Sequence, residues 1–335
     1  MPELHPLLVR ALHARAELRD PRGESAYRLF NGHLEGFPAL ALDLYGRTAL
    51  AQVQGEAGGL EPILEAAEAV LRAELSEVHS LLVKYRGATD ESLRRGVLRF
   101  GQKIDRKVVE NGVAYALDLK LNQDASLYLD TRNLRSWART HLADAQVLNT
   151  FAYTGSLGVA ARAAPARRVV QTDASRAFLN VGKVSFGLNN WPVARGDFRT
   201  GDFFEVVGGL KREGALFDCV LVDPPFFAAG ERGTVDLQAD IGRLLNKVRP
   251  LVGDGGRLVA VNNALFVSGA DYLAQLETLC AQGYMELETL VPVGADFTGT
   301  PETRIGEPPV DPAPFNHSTK IAVLRVARKD GRKAS

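Results

Sequence analysis

From about residue 116 onward, short apolar runs alternate with amphipathic stretches, and this alternation constrains the fold more than any other feature of the chain. Candidate strands fall at 146–150, 168–172, 193–195, 218–222, 257–261 and 286–291, with a helix-like segment between each pair. Strands joined through helices pair in parallel, because a parallel neighbour needs a crossover while a hairpin does not. The pattern therefore predicts a doubly wound α/β sheet with helices on both faces. The last apolar run, 319–326, follows a proline-rich connection without a helix, and predicts an antiparallel edge strand.

The first part of the chain reads differently. A Leu-, Ala- and Arg-rich stretch over about 4–19 predicts a leading helix, stopped at Asp20-Pro21. Short apolar segments at 27–30, 39–43 and 48–53, separated by Asn31-Gly32 and Tyr45-Gly46, predict a small antiparallel meander. Helical spacing follows over 61–75, then a strand at 80–85. A hairpin over 108–115 turns at Asn111-Gly112, whose residue types accept positive φ. The expected organisation is a small α+β domain over 1–115, offering a possible RNA contact, and a larger α/β domain over 116–335. A length of 335 residues agrees with two cores.

Composition narrows the function. The 40 basic and 40 acidic residues cancel, which argues against a protein that coats nucleic acid nonspecifically. Local basic clusters remain, at Arg94, Arg95, Arg99, Lys103, Arg106 and Lys107, and in a tail with Arg325, Arg328, Lys329, Arg332 and Lys333. Each reads as a phosphate contact or as a solvated charged face, the latter favoured for the tail. No run reaches bilayer length and the N-terminus lacks a signal-peptide pattern, so no membrane partner is expected. Cys219 and Cys280 lack metal-ligand spacing, as do the six histidines, of which only His317 draws notice. No metal is expected, and a reducing cytoplasm suits such cysteine usage.

The chemistry concentrates at strand ends, where open α/β sheets bind ligands. The run at 219–222 stops abruptly at Asp223-Pro224-Pro225-Phe226-Phe227, leaving a carboxylate, carbonyls without a proline N–H, and two rings at one tip. Such a set suits a flat, nitrogen-bearing group such as a nucleobase edge, or else is an ordinary strand exit. The first strand ends in Asn149, Thr150, Phe151, Ala152, Tyr153, Thr154 and Gly155, a turn whose amides would face a ligand at a helix N-terminus. Asp173 ends the second strand, placed for ribose hydroxyls, or for capping the helix that begins near Ser175. After the third strand, Asp202 with Phe203 and Phe204 would hold an adenine, or Asp202 would cap the next helix. G-x-G-x-x-G is absent, which disfavours a dinucleotide, and with Asp-Pro-Pro-Phe on the fourth strand S-adenosyl-L-methionine becomes the better ligand.

The order of turn, ribose acid, adenine acid and Asp-Pro-Pro resembles a Rossmann-like class I methyltransferase, and more closely the bacterial 23S rRNA methyltransferases of RlmI and RlmK type. The resemblance rests on Tyr128-Leu129-Asp130-Thr131-Arg132, on 149–155 continuing to Asp173-Ala174-Ser175 and Leu188-Asn189-Asn190, and on 222–227 with Asn262-Asn263. It spans about 25–330. By this resemblance Tyr128, Asp130 and Arg132 would lie near the methionine end of the cofactor, and Ala174 and Ser175 beside its ribose. The PUA domain that precedes the catalytic part in RlmI-type members is expected to be missing. Ala125-Ser126 also stand where the family often has a Thr-Gly-type pair.

Methylating C5 of a pyrimidine needs a nucleophilic Cys, which RlmI-type members carry after the fifth strand. This chain has Asn262-Asn263 there, as in RlmK-type members, which methylate a guanine ring nitrogen. Direct transfer to a base nitrogen is therefore expected, with Asp223 and the Pro224 carbonyl accepting base protons. Phe226 or Phe227 would stack on the base, with Pro225 shaping the turn and Asn262 or Asn263 orienting the base or shaping its pocket. The alternatives are a methyltransferase of a protein or small molecule, and a noncatalytic cofactor-binding assembly factor.

Overall fold

Leu4, Leu8 and Leu12, four residues apart, make one apolar stripe on α1 (Leu4–Ala14), which is buried against the first sheet of the protein. The computed structural model describes residues 3–55, 57–230, 233–237 and 241–334. These belong to two units, Met1–Asp130 with Gly294–Pro308, and Thr131–Val293 with Pro309–Ser335.

In the first unit, β1 (Ala26–Asn31), β2 (Leu40–Tyr45) and β3 (Thr48–Val53) form the expected antiparallel meander. Helix α2 (Ala57–Glu74) then crosses over to β4 (Ser80–Tyr85), which pairs parallel with β3. A short α3 (Glu91–Arg95), capped by Asp90, leads to β5 (Val97–Phe100), antiparallel to β4. The hairpin of β6 (Lys107–Glu110) and β7 (Val113–Ala116) turns on Asn111 and Gly112 at φ 53° and 78°, the paired positive values of a type I′ turn.

The division falls between Asp130 and Thr131 rather than at 115/116, for reasons invisible to composition. Residues 118–127 are held in the first unit through their carbonyls. Lys84 Nζ donates to Asn122 O at 2.8 Å and Asp124 O at 2.6 Å, and Arg86 donates to Gln123 O. Arg95 donates to Lys120 O, and the Tyr45 hydroxyl to Leu127 O. The late segment carrying α10 (Ala295–Thr298) joins the same unit through a buried network. Arg15 makes a bidentate pair with Glu35 and also donates to Asp296 O. Asp296 Oδ2 accepts from the Arg28 amide, while Asn31 Nδ2 donates to Phe297 O. The Arg28 guanidinium, bound to Asp43, lies over the Phe297 ring. Removing one partner of such a pair leaves a buried charge unmatched, a loss of about 3–5 kcal/mol.

The second unit opens with α4 (Arg132–His141), β8 (Gln146–Thr150), α5 (Ser156–Ala163), β9 (Arg168–Asp173) and α6 (Arg176–Leu188). It continues through β10 (Phe198–Thr200), α7 (Phe203–Arg212), β11 (Phe217–Val222), the hairpin of β12 (Phe227–Gly230) and β13 (Gly233–Asp236), and α8 (Ile241–Val248). It closes with β14 (Val252–Asn262), α9 (Gly269–Cys280), β15 (Met285–Leu290) and β16 (Lys320–Val326). The seven-stranded sheet runs β10-β9-β8-β11-β14-β16-β15, the doubly wound architecture expected, with β16 antiparallel to both neighbours. Side chains alternate between two cores. Val220 and Val222 pack with α8 and α9, while Cys219 and Leu221 pack with α4 and α5, so the run is apolar throughout.

Two further expectations are corrected. Residues 193–195 are not a strand. Pro192 cannot donate, and the edge strand is instead β10, whose Phe198 and Thr200 pair with Gln171 and Asp173. Strand β16 is antiparallel but not at the edge, because it inserts between β14 and β15. A strand buried on both sides explains its nearly continuous apolar sequence.

Burial pushes the Lys84 ammonium down to about 8 from 10.5. Between those values the unfolded chain binds the proton and the folded chain does not, so this lysine makes stability climb as pH rises through the window. Below about 8 its penalty is fully present. Lys84→Met should therefore compare most favourably with the parent at neutral pH, and lose that advantage at about pH 10. Urea unfolding of both proteins at the two pH values measures this, and a pH-independent difference would contradict it.

Candidate active site at the strand tips

The chain winds from β8 outward through β9 and β10, then returns to the other side of β8 with β11. This reversal leaves the crevice of an open α/β sheet between the carboxyl ends of β8 and β11. Thr150 and Val222 are register partners there, and Thr150 Oγ1 donates to Leu221 O at 2.8 Å. The turn after β8 and the Asp-Pro-Pro loop after β11 therefore start side by side.

In that turn Phe151, Tyr153 and Gly155 have φ of 51°, 49° and 80°. Left-handed backbone at a residue with a side chain costs of order 1 kcal/mol and gathers at ligand clamps. The turn is held from several directions. Ala152 N donates to Thr172 O and Gly155 N to Ala152 O. The Phe151 ring stacks on Phe203 at 4.4 Å, and the Tyr153 ring meets Phe178 edge-on at 4.7 Å. Gly155 caps α5, and Thr154 is buried.

Beneath the turn lies Gln171, which the sequence reading missed. A Cβ on Gly155 would stand 2.6 Å from its Oε1, and one on Gly158 would stand 2.4 Å from its Cδ. The small residues of the turn therefore make room for a neighbouring side chain as well as for close backbone. Gln171 Oε1 accepts from Asn149 Nδ2 at 3.3 Å, and the two are register partners. Among the described residues, Asn149 Oδ1 and Gln171 Nε2 are buried with no hydrogen-bond partner.

Asp173 stands at the tip of β9. Its Oδ2 accepts from Tyr153 N at 2.9 Å and its Oδ1 from Ser175 N at 2.8 Å. Burial raises its carboxyl above the ordinary value, against the pull of these two amides. Each oxygen retains a second lone-pair direction, which a hydroxyl can use. The helix cap proper is Ser175, which accepts from Phe178 N, while Ala174 is exposed.

Asp202 does cap a helix. Its Oδ1 accepts from Phe204 N at 2.9 Å and Glu205 N at 3.1 Å, fixing the start of α7. Phe203 is buried against Phe151, joining the first and third strand tips.

Asp223 and Pro224 follow β11, with Pro224 buried, Pro225 exposed, and Phe226 and Phe227 at 43% and 57% exposure. Asp223 lies close enough to Tyr272, on α9, to raise that phenol further after burial has done most of it. Tyr272 donates to Ala260 O. Asn262, fully buried, accepts from Ala264 N at 2.9 Å, and Asn263 Nδ2 donates to Pro224 O at 3.4 Å. The next residues, Leu265 and Phe266, are exposed at 53% and 67%, and no sequence pattern singled them out. Tyr128 and Asp130 fall in the first unit, where Asp130 is within electrostatic reach of Arg28. Arg132 begins α4 in the second.

Some members of the basic clusters are paired with acids. Arg99 binds Glu61 and Glu68, and Lys107 approaches Glu24. In the tail, Arg328 and Arg332 both bind Asp330, and Arg325 binds Glu288. His317 accepts from Thr319 N.

A doubly wound sheet with a strained turn, a buried acid at the second strand tip and an Asp-Pro-Pro tip defines a Rossmann-like architecture with a ligand crevice. Comparison with known proteins makes this specific. The family model for S-adenosylmethionine-dependent methyltransferases matches residues 67–291, and the chain belongs to that family. It is 28% identical to the putative ribosomal RNA large subunit methyltransferase YwbD of Bacillus subtilis, over 77% of this chain and 65% of that protein. Identity to the ribosomal RNA large subunit methyltransferase I of Aliivibrio fischeri is 29%, over 71% and 63%. The chain thus spans less than two thirds of the length of these relatives. In fold it matches SMU.776, a putative methyltransferase crystallised with SAH, with a TM-score of 0.84 at 20% identity, over 97% of this chain and 81% of that one. No helix among the described residues is long and apolar enough to cross a membrane.

Capping and cofactor roles of Asp202 separate by substitution. Asp202→Ala should cost about 1 kcal/mol of stability, whereas Asp202→Ser should retain most of it. If Asp202 also holds the adenine, both variants should bind S-adenosylmethionine more weakly in calorimetry. Equal affinity in both would leave it a cap.

Proposed function

We propose that this chain methylates a nitrogen of an RNA base, with large-subunit ribosomal RNA as substrate and S-adenosylmethionine as donor, in a reducing cytoplasm. The observation that carries the reading is Asp223-Pro224 at the switch point, buried on one side and flanked by two exposed aromatic rings. The names of the relatives support the RNA class, and the family supports the donor.

The residues present fit the donor. Asp173 has lone pairs left for two ribose hydroxyls, Phe151 and Phe203 make an apolar wall beside it, and the first amides of α5 sit above the strained turn. When bound, the donor supplies an electrophilic methyl group on a sulfonium. In this reading Asp173 and the 151–155 turn hold its nucleoside part, with Asp202 and Phe203 near the base, and Arg132 toward its amino-acid end.

The rest is positioning. Asp223 and the Pro224 carbonyl accept amino or imino protons of the target base, which aims the nitrogen lone pair, and Asp223 receives a proton released there. Phe226 or Phe227 stacks on the base face, worth roughly 1–3 kcal/mol. Asn262, buried beneath the tip, shapes the turn rather than touching the base. A covalent route is disfavoured because burial pushes the Cys219 thiol up to about 12 and raises Cys280, so neither supplies a thiolate near neutral pH.

Asp223→Ala should abolish methyl transfer to unmodified in vitro-transcribed 23S rRNA while leaving S-adenosylmethionine affinity nearly intact. Labelled donor with transcript or large-subunit particles measures the first, and calorimetry the second. Undiminished turnover in the variant would remove Asp223 from the mechanism. Label appearing only in protein or small molecules would replace RNA as the substrate.

A further inference from the structure

Lys320 is fully buried at the first position of β16, opposite Asn262 of β14. Cross-strand partners share one face of a sheet, so the ammonium lies on the same side as the Asn262 amide. Its Nζ donates to Ala264 O at 3.0 Å and to Ser318 O at 2.5 Å. Among the described residues no carboxylate pairs with it, and burial pushes its ammonium down to about 8 from 10.5. A cation buried without a counter-charge is less favourable than an apolar side chain of similar size. The sheet does not need it for packing, since Ala322 and Leu324 continue the same face as ordinary core.

What the lysine grips is the turn behind the Asp-Pro-Pro tip. Ala264 is held at both ends of its backbone, its carbonyl by Lys320 Nζ and its amide by Asn262 Oδ1. The residue between them, Asn263, reaches across to Pro224 O. A continuous chain of hydrogen bonds and backbone therefore runs from the buried ammonium to the carbonyl on which base orientation depends. Pro224 itself has no N–H, so its loop has one fewer way of being held.

Building on the methyltransferase reading, we infer that Lys320 is a positioning residue for methyl transfer, clamping the Asn262–Asn263–Ala264 turn so that Asn263 holds the Pro224 carbonyl in place. It touches neither base nor donor. Its influence is on the rate of the chemical step, through geometry, and not on donor binding at the β8 and β9 tips.

The test is a double-mutant cycle with Lys320→Met and Asn263→Ala, using tritiated S-adenosylmethionine and unmodified 23S rRNA transcript. Lys320→Met fills the same volume without the donors. Each single variant is expected to lower kcat, by roughly ten- to a hundredfold for Lys320→Met, because misplacement of about an ångström has that effect. Donor affinity by calorimetry should stay within about twofold in both. The double variant should fall no further than the worse single one, since both changes cut one connection. A merely structural lysine gives a different pattern, with kcat unchanged or losses that multiply, and either overturns the inference. Should Lys320→Met not fold, Asn263→Ala decides alone: unchanged kcat breaks the route to Pro224. An inactive parent protein overturns the methyltransferase reading and this inference with it, whereas an active parent with unaffected variants overturns this inference only.

Discussion

The pairing of β8 with β11 is the interaction on which the second unit depends. Strands far apart in sequence become neighbours there, where the winding of the parallel strands reverses. The consequence is geometric: two loops leave adjacent strand ends without a helix packed between them, and a crevice opens. The Thr150 hydroxyl, spent on the Leu221 carbonyl, closes the ladder just short of that opening. Proline then ends β11, because neither Pro224 nor Pro225 can donate to another rung.

The crevice also shows how one residue type serves two demands. Asp173 and Asp202 both spend carboxylate oxygens on backbone amides near helix starts. For Asp202 the bonds to Phe204 N and Glu205 N make an N-cap. For Asp173 the bonds to Tyr153 and Ser175 tie the first turn to the second strand, and rigidity of this sort makes the carboxylate a better-placed acceptor. Capping and ligand binding are compatible uses of one carboxylate, because each oxygen carries two lone pairs.

Much of the fold was legible because the relevant forces are local. Period-two and helical spacing located β8, β9, β11 and β15 to within a residue at their ends and the C-terminal part of β14, and Asn111-Gly112 specified its turn through backbone sterics alone. Failures came where a long-range partner decides. Residues 193–195 carry a strand-forming valine, yet pairing with β9 selected Phe198–Thr200. The 118–127 segment contains little to mark it as part of the first unit until Lys84, Arg86 and Arg95 are seen donating to its carbonyls. Arg99, which looked like part of a phosphate patch, is committed to two glutamates distant in sequence.

By itself the sequence determined the class of architecture and the chemical character of the tips: acids after the second, third and fourth strands of the sheet, prolines after the fourth, and no cysteine where a nucleophile would stand. Residue identity and local stereochemistry suffice for those. Only the tertiary structure decided that β16 slots inside the sheet, that Gln171 fills the space left by Gly155 and Gly158, and that Lys320 lies behind Asn262. Each depends on which side chains meet across strands, and a hydrogen bond or a close contact between residues far apart in the chain leaves no periodic trace in the order of its amino acids.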